Sequence, residues 1–234
     1  MANKRKLFRE ILYWFVRVES IILIILSILG LIRDGANRDS HYIITIIQAV
    51  LMTILTFIPA LFKKVFKINI PIIIEICYLM FCSAAILLGE IFNFYIKYSW
   101  WDDLLHVFSG SFISIIGFIV IYYLNEKKNV PMSLSPAFII LFVFCFSLAA
   151  ELVWEVIEWS IDGIFSSNMQ RYMHDTLKTP FAGRSALLDT MGDMIEAIIG
   201  SIIVCVLTFI EMKREDSSIK KMLKLEEDLP ETQK

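Results

Sequence analysis

Three groups of acidic residues in this chain repeat at helical spacing, and one of them includes a histidine. Asp102 and His106 are four residues apart; Glu151, Glu155 and Glu158 follow a four-then-three step; Asp189, Asp193 and Glu196 repeat that step. Residues three or four apart share one face of a helix, so each group forms an acidic stripe turned in a single direction. Carboxylates gathered around an imidazole can do two things. They can hold a divalent cation, since hard oxygen ligands suit magnesium, calcium or manganese while a histidine admits zinc or iron. Alternatively, some acids keep their protons and the cluster becomes a shared hydrogen-bond network. A metal held this way would activate water while a free Glu moved the proton. No nucleophile motif, phosphate-cradling glycine loop or established zinc spacing accompanies these acids in the sequence.

The elements that must position the stripes are membrane helices. At 234 residues, 57% hydrophobic and with a mean hydropathy of +0.68, the chain carries more apolar surface than a soluble core of that size hides. Its charged residues collect between long apolar runs. Six runs reach the ~20 residues that a helix rising ~1.5 Å per residue needs to cross the hydrocarbon layer. They cover 11–32, 42–62, 70–92, 104–124, 136–157 and 187–210. Isoleucine is abundant in them, but in lipid every backbone polar group must be paired internally, which selects helices over an open sheet. The expected fold is therefore an all-α polytopic transmembrane bundle over 1–212, followed by a charged cytoplasmic tail over 213–234.

Local signals set the ends. Ser135-Pro136 offers an N-cap with proline at the first helical position, Pro59 sits near the end of the second span, and Lys127-Lys128 closes the fourth. Ser99-Trp100-Trp101-Asp102 has capping-box spacing and puts two tryptophans where an interfacial belt belongs. That gives Asp102 a plainer reading as a capping acid, and Asp103 one as its solvated neighbour. The four cysteines, Cys77, Cys82, Cys145 and Cys205, lie in apolar runs without metal-finger spacing and read as packing residues. The basic N-terminus lacks a following signal-cleavage pattern, which favours an uncleaved first helix.

Orientation follows from the basic residues. Alternating loops and the termini place 15 Lys and Arg on one side and 6 on the other, so the positive-inside rule puts both termini in the cytoplasm. All three acidic stripes then fall at the outer ends of the last three spans, where Glu90 from the third span could join them. A loop over 158–186 faces outward, and within it Glu158 and Asp162 have a plainer reading as solvated residues. An acid at a helix centre costs about 2.5 to 3.5 kcal/mol, and less near the interface, so the stripes are expected to face one another rather than lipid. Small residues beside them, Ser109, Gly110, Ser147, Gly192 and Gly200, would let the helices approach closely.

The candidate polar or metal site is Asp102, His106, Glu151, Glu155, Glu158, Asp189 and Asp193. Nearby cations are few: His106, Lys97, Arg171 and Arg184, with Arg184 the candidate charge partner. A net charge of -2 gives no basic surface for nucleic acid, leaving membrane lipids as the expected partners.

Three segments carry a resemblance. Asp102-Asp103-Leu104-Leu105-His106 with Gly110, Glu155-Val156-Ile157-Glu158-Trp159, and Asp189-Thr190-Met191-Gly192-Asp193-Met194 with Gly200 resemble the YjdF-like family of predicted bacterial inner-membrane proteins. More distantly they resemble the VanZ-like family, associated with glycopeptide resistance. The likeness runs from about residue 100 to 200 and maps onto Asp102, His106, Glu155, Glu158, Asp189 and Asp193. Asp103 stands where those families often carry a basic residue, and Pro180-Phe181-Ala182-Gly183-Arg184 replaces the glycine-rich approach of the YjdF-like pattern. The resemblance implies a multi-pass plasma-membrane protein of the cell envelope with a site between its last helices, and no particular reaction. Three functions stay open: binding a cation, an envelope lipid or another amphipathic ligand; metal-dependent catalysis on a lipid-linked substrate; and cation or proton transport.

Overall fold

The computed structural model describes residues 2–34, 39–66, 70–126, 135–174, 177 and 179–213. Within them the chain is an all-α polytopic membrane protein: six helical stretches are long and apolar enough to cross a bilayer. The tail expected beyond 213 and Lys127-Lys128 lie outside the described residues. Two compact units divide the chain, Met1–Tyr98 and Ser99–Ser217.

The first unit holds α1 (Ala2–Asp34), α2 (Asp39–Leu55), α3 (Ile58–Phe66), α4 (Ile72–Cys82) and the short α5 (Phe94–Lys97). The second expected span is broken into α2 and α3, and Pro59 accounts for the break. Its ring lacks an N–H and crowds the carbonyl four residues back, that of Leu55. Lipid cannot satisfy the carbonyl that this frees. The Tyr78 hydroxyl does so, donating to Leu55 O at 3.1 Å. The third expected span also changes character, from α4 into a π-helical stretch over Ser83–Ile91 that closes with Phe92 N–H donating to Leu87 O at 2.9 Å. Val16, Met52, Cys82 and Leu87 form the core of this unit.

The second unit is a three-helix bundle of α6 (Trp100–Glu126), α7 (Pro136–Phe165) and α8 (Leu188–Met212). As the sequence predicts, α7 starts on the Ser135 hydroxyl, which accepts from Phe138 N–H at 3.2 Å, with Pro136 at the first helical position. It runs two turns beyond the expected end at 157 and stops at Ser166, whose φ of 53° is left-handed. Glu158 and Asp162 are therefore helical and buried, which sets aside their plainer reading as solvated loop residues. The connection back to α8 carries one isolated antiparallel bridge, Met173 with Pro180, and a 3-10 turn over Gly183–Leu187.

Packing in this unit follows a register read from its closest pairs. His106 faces Asp193, a Cβ at Gly110 would overlap the Ala197 backbone, and Ser114 Oγ donates to Ser201 Oγ at 2.8 Å. Each step advances four residues in both helices, so α6 and α8 run parallel. His106 with Glu151 and Gly110 with Ser147 step in opposite senses, so α7 is antiparallel to α6. Gly200 likewise presents no Cβ to Val107 O. Two glycines thus let two helix backbones touch, the small-residue packing that lipid favours. Layers result along the bundle: acids at one end, small residues and serines next, then the apolar side chains Phe118, Ile121, Ile139, Val143 and Val204.

Candidate functional site

The acidic end of the second unit brings together all seven residues of the candidate site. Glu151, Glu155 and Glu158 of α7, Asp193 of α8 and His106 of α6 are buried, and Asp102 and Asp189 nearly so. His106 is the hub. Its Nδ1 lies 2.7 Å from Glu151 Oε1, at hydrogen-bond distance. Its Nε2 faces Asp102 Oδ1 at 3.6 Å and Asp193 Oδ1 at 3.7 Å, too long for hydrogen bonds. Nε2 is thus flanked by two carboxylates, to which a protonated ring presents an N–H and a neutral ring with its hydrogen on Nδ1 presents a lone pair.

Donor atoms of three residues converge within 4.8 Å in three combinations: Asp102, His106 and Asp193; His106, Glu151 and Glu155; and Glu155, Glu158 and Asp193. The separations of 3.6 and 3.7 Å from Nε2 to the two carboxylate oxygens are of the size that two donors to one small cation would have. The set of one imidazole nitrogen and several carboxylate oxygens is that of manganese, iron or zinc centres. The 2.7 Å bond from Nδ1 to Glu151 is the carboxylate–histidine contact that orients a ligating ring.

The connection between α7 and α8 supplies the remaining polar groups. Asp162 anchors it: its Oδ1 accepts from Ser167 Oγ and Met169 N–H, both at 2.7 Å, and its Oδ2 from Gln170 N–H at 3.0 Å. Asn168 adds a reciprocal pair with the Met173 backbone, at 2.9 and 3.0 Å. Gln170 thereby reaches Glu155 Oε2 at 3.2 Å and Thr190 Oγ1 at 3.1 Å. Arg171 is held at a φ of 41°, a backbone conformation costly for a side-chain-bearing residue. Its guanidinium meets Asp102 at 3.2 Å and Asp189 at 3.8 Å.

Arg171 thus takes the place expected of Arg184. Arg184 lies exposed on the 3-10 turn and pairs with no carboxylate among the described residues. Asp102 pairs with Arg171 and faces His106, so its carboxylate has a role beyond capping, while Asp103 is exposed. Glu90 belongs to the other unit, where it accepts from Gln48 Nε2 at 3.1 Å. Glu196 is half-buried and leaves its Oε2 without a hydrogen-bond partner among the described residues. Gln170 and Asp162 escaped the sequence reading as site components. The signal for Asp162 was present: 151, 155, 158 and 162 continue the same four-three-four step, which requires the helix to run past 158.

Comparison with known proteins is consistent with this architecture. A family model described as a predicted membrane protein (DUF2238) matches residues 16–214. A protein of Thermotoga maritima, itself uncharacterised, is 31% identical over 125 residues, covering 52% of this chain. The matched part spans 61% of that relative's length. No solved structure matches the chain.

Proposed function

The chain belongs to this DUF2238 family of predicted membrane proteins, and on that premise we propose that its acidic pocket binds a divalent cation of the manganese, iron or zinc kind. The ligands are His106 Nε2 and the carboxylates of Asp102 and Asp193, with Glu151 fixing the imidazole through Nδ1. One observation carries the reading: a buried imidazole, 2.7 Å from Glu151 at Nδ1, places its Nε2 at 3.6 and 3.7 Å from oxygens of two carboxylates, beyond hydrogen-bond length. Such an ion acts as a Lewis acid on a bound oxygen.

In this reading the protein sits in the plasma membrane with both termini in the cytoplasm, so the pocket opens at the outer water boundary. The excess of basic residues in the terminal segments and alternate loops supports that orientation. Transport is the weaker alternative. No charged residue of α6, α7 or α8 lies between the acidic cluster and Glu126 and Glu211 at the far ends of α6 and α8, so the bundle has no acid relay across the layer.

Metal content of the purified protein tests the reading. Exposed to manganese and then freed of excess, the wild-type protein retains metal in stoichiometric amount, and Asp193→Asn and His106→Ala do not. Wild-type protein that retains none overturns it. Proteoliposomes made with the same protein are expected to show no cation flux; Asp193-dependent flux would return transport to first place.

A second reading concerns what the ion meets. Trp100 and Trp159 are 53% and 68% exposed at the same end of the bundle as the acids, where headgroups lie. This favours an envelope lipid or similar amphipathic molecule as ligand, or as substrate of a metal-dependent reaction. Lipids co-purifying with wild type but not with Asp193→Asn would support it; identical lipid content in both would remove its basis.

A further inference from the structure

We propose that the pocket holds two divalent cations bridged by the Asp193 carboxylate, an inference that rests on the single-ion reading and extends it. The donors fall into two sets with one member in common. Asp102, His106 and Asp193 form the first; Glu155, Glu158 and Asp193 form the second, and each set has its donor atoms within 4.8 Å of one another. A carboxylate offers two oxygens with about four lone-pair sites, so one Asp can serve two ions. Paired ions of this kind sit about 3.5 to 4 Å apart. The remaining combination, His106 with Glu151 and Glu155, contains the 2.7 Å hydrogen bond and requires no ion of its own.

The second position has evidence independent of the clustering of acids. Glu155 is only 4% exposed, and its Oε1 is out of water with no hydrogen-bond partner among the described residues. A buried carboxylate oxygen left bare in this way loses its hydration with nothing in return. Gln170 and the Thr190 hydroxyl serve the Glu155 carboxylate without reaching Oε1, His106 Nδ1 lies on Glu151, and the Arg171 guanidinium on Asp102 and Asp189. Glu158, 7% exposed, belongs with Glu155 and Asp193 to one set of three whose donor atoms lie within 4.8 Å of one another. A cation between Glu155, Glu158 and Asp193 fills the vacancy in the hydrogen-bond accounting.

Formal charge points the same way. Six carboxylates, those of Asp102, Glu151, Glu155, Glu158, Asp189 and Asp193, face one guanidinium, and an imidazole acting as a ligand is neutral. One divalent ion leaves a formal excess of three negative charges, and two ions reduce it to one. Buried charge of a single sign is costly, and for carboxylates that give up their protons a second ion offsets more of that cost than one does.

Stoichiometry and spin coupling test the pair on the intact protein in detergent, loaded with manganese alone. The expected result is two manganese ions per chain and an exchange-coupled paramagnetic resonance spectrum. Glu158→Gln, a conservative change, is expected to retain one ion with an uncoupled, mononuclear spectrum. One ion per chain in wild type, with Glu158→Gln indistinguishable from it, overturns the pair and leaves the single-ion reading standing. No bound ion in wild type overturns both. Two ions that show no coupling in wild type and both persist in Asp193→Asn overturn the bridge.

Discussion

The two units of this protein both bury charge, and they balance it differently. In the first, Arg9 meets Glu75 at 3.1 Å and Glu10 at 2.7 Å, and the Tyr13 hydroxyl donates to Glu75 at 3.4 Å. Arg17, within the first span, donates to Thr56 Oγ1 at 3.0 Å and lies over the Phe57 ring at 4.5 Å. Arg9 and Arg17 thus each have an acceptor or an aromatic face of their own, which is how a membrane helix accommodates an arginine. In the second unit carboxylates outnumber the cations that touch them. Internally matched charge is a structural solution; a buried surplus of one sign is offset either by retained protons or by a cation from outside the chain, and the proposed site takes the second course.

Neutralising one acid in each unit should separate these cases most sharply. Asp193→Asn removes a shared ligand, and manganese affinity is expected to fall by at least 100-fold, or about 2.7 kcal/mol. Glu75→Gln breaks the Arg9 pair and should lower thermal stability in detergent while leaving manganese affinity unchanged. Competition with a metallochromic chelator measures both affinities. Equal loss in the two variants would mean that the metal effect reports general damage. Next in size is Glu151→Gln, which keeps the shape of the side chain but weakens its hold on His106 Nδ1. Outer-shell changes of this kind typically cost 10- to 100-fold in metal affinity, and the same competition assay reads the loss.

Much of this arrangement was legible in the spacing of residues alone. The stripes at 102/106, 151/155/158 and 189/193 do share one end of one bundle, because a four-residue step fixes a helix face and alternate spans return to the same side. The six apolar stretches were equally plain. Features that depend on side chains meeting across the fold were not. The break at Leu55 is offset by Tyr78, 23 residues away, and nothing local announces that partner. Arg171 and Arg184 look equivalent in sequence; what separates them is the Asp162 carboxylate gathering three donors and the left-handed backbone at 171, both properties of the folded connection.

Packing offers a further contrast of smaller size. A Cβ at Gly110 would overlap the backbone of Ala197, which cannot swing aside as a side chain can. Gly110→Ala is therefore expected to destabilise the second unit by about 1 to 3 kcal/mol, the usual range for overpacking. Gly192 has open space around its would-be Cβ, and Gly192→Ala should be neutral or slightly stabilising, since alanine favours the helix. Thermal unfolding followed by tryptophan fluorescence compares them. If both tolerated alanine equally, the close contact of α6 with α8 would lose its support.

The smallest expected effect probes the cation that the protein supplies for itself. Arg171 spans Asp102 and Asp189 and is partly exposed, so solvent weakens both pairs. Its positive charge still lies beside the carboxylates proposed to hold metal, where it opposes the entry of another cation. Arg171→Gln should consequently raise manganese affinity, by a few-fold rather than by orders of magnitude, because the lost repulsion is partly offset by a looser connection between α7 and α8. Arg184→Gln, at an exposed position without a carboxylate partner among the described residues, should leave affinity unchanged. Arg17→Gln in the first unit should do the same. A fall in affinity for Arg171→Gln would mean that the guanidinium orders the ligands more than it repels the ion, so that the connection works as part of the binding site and not as a stand-in for the metal's charge.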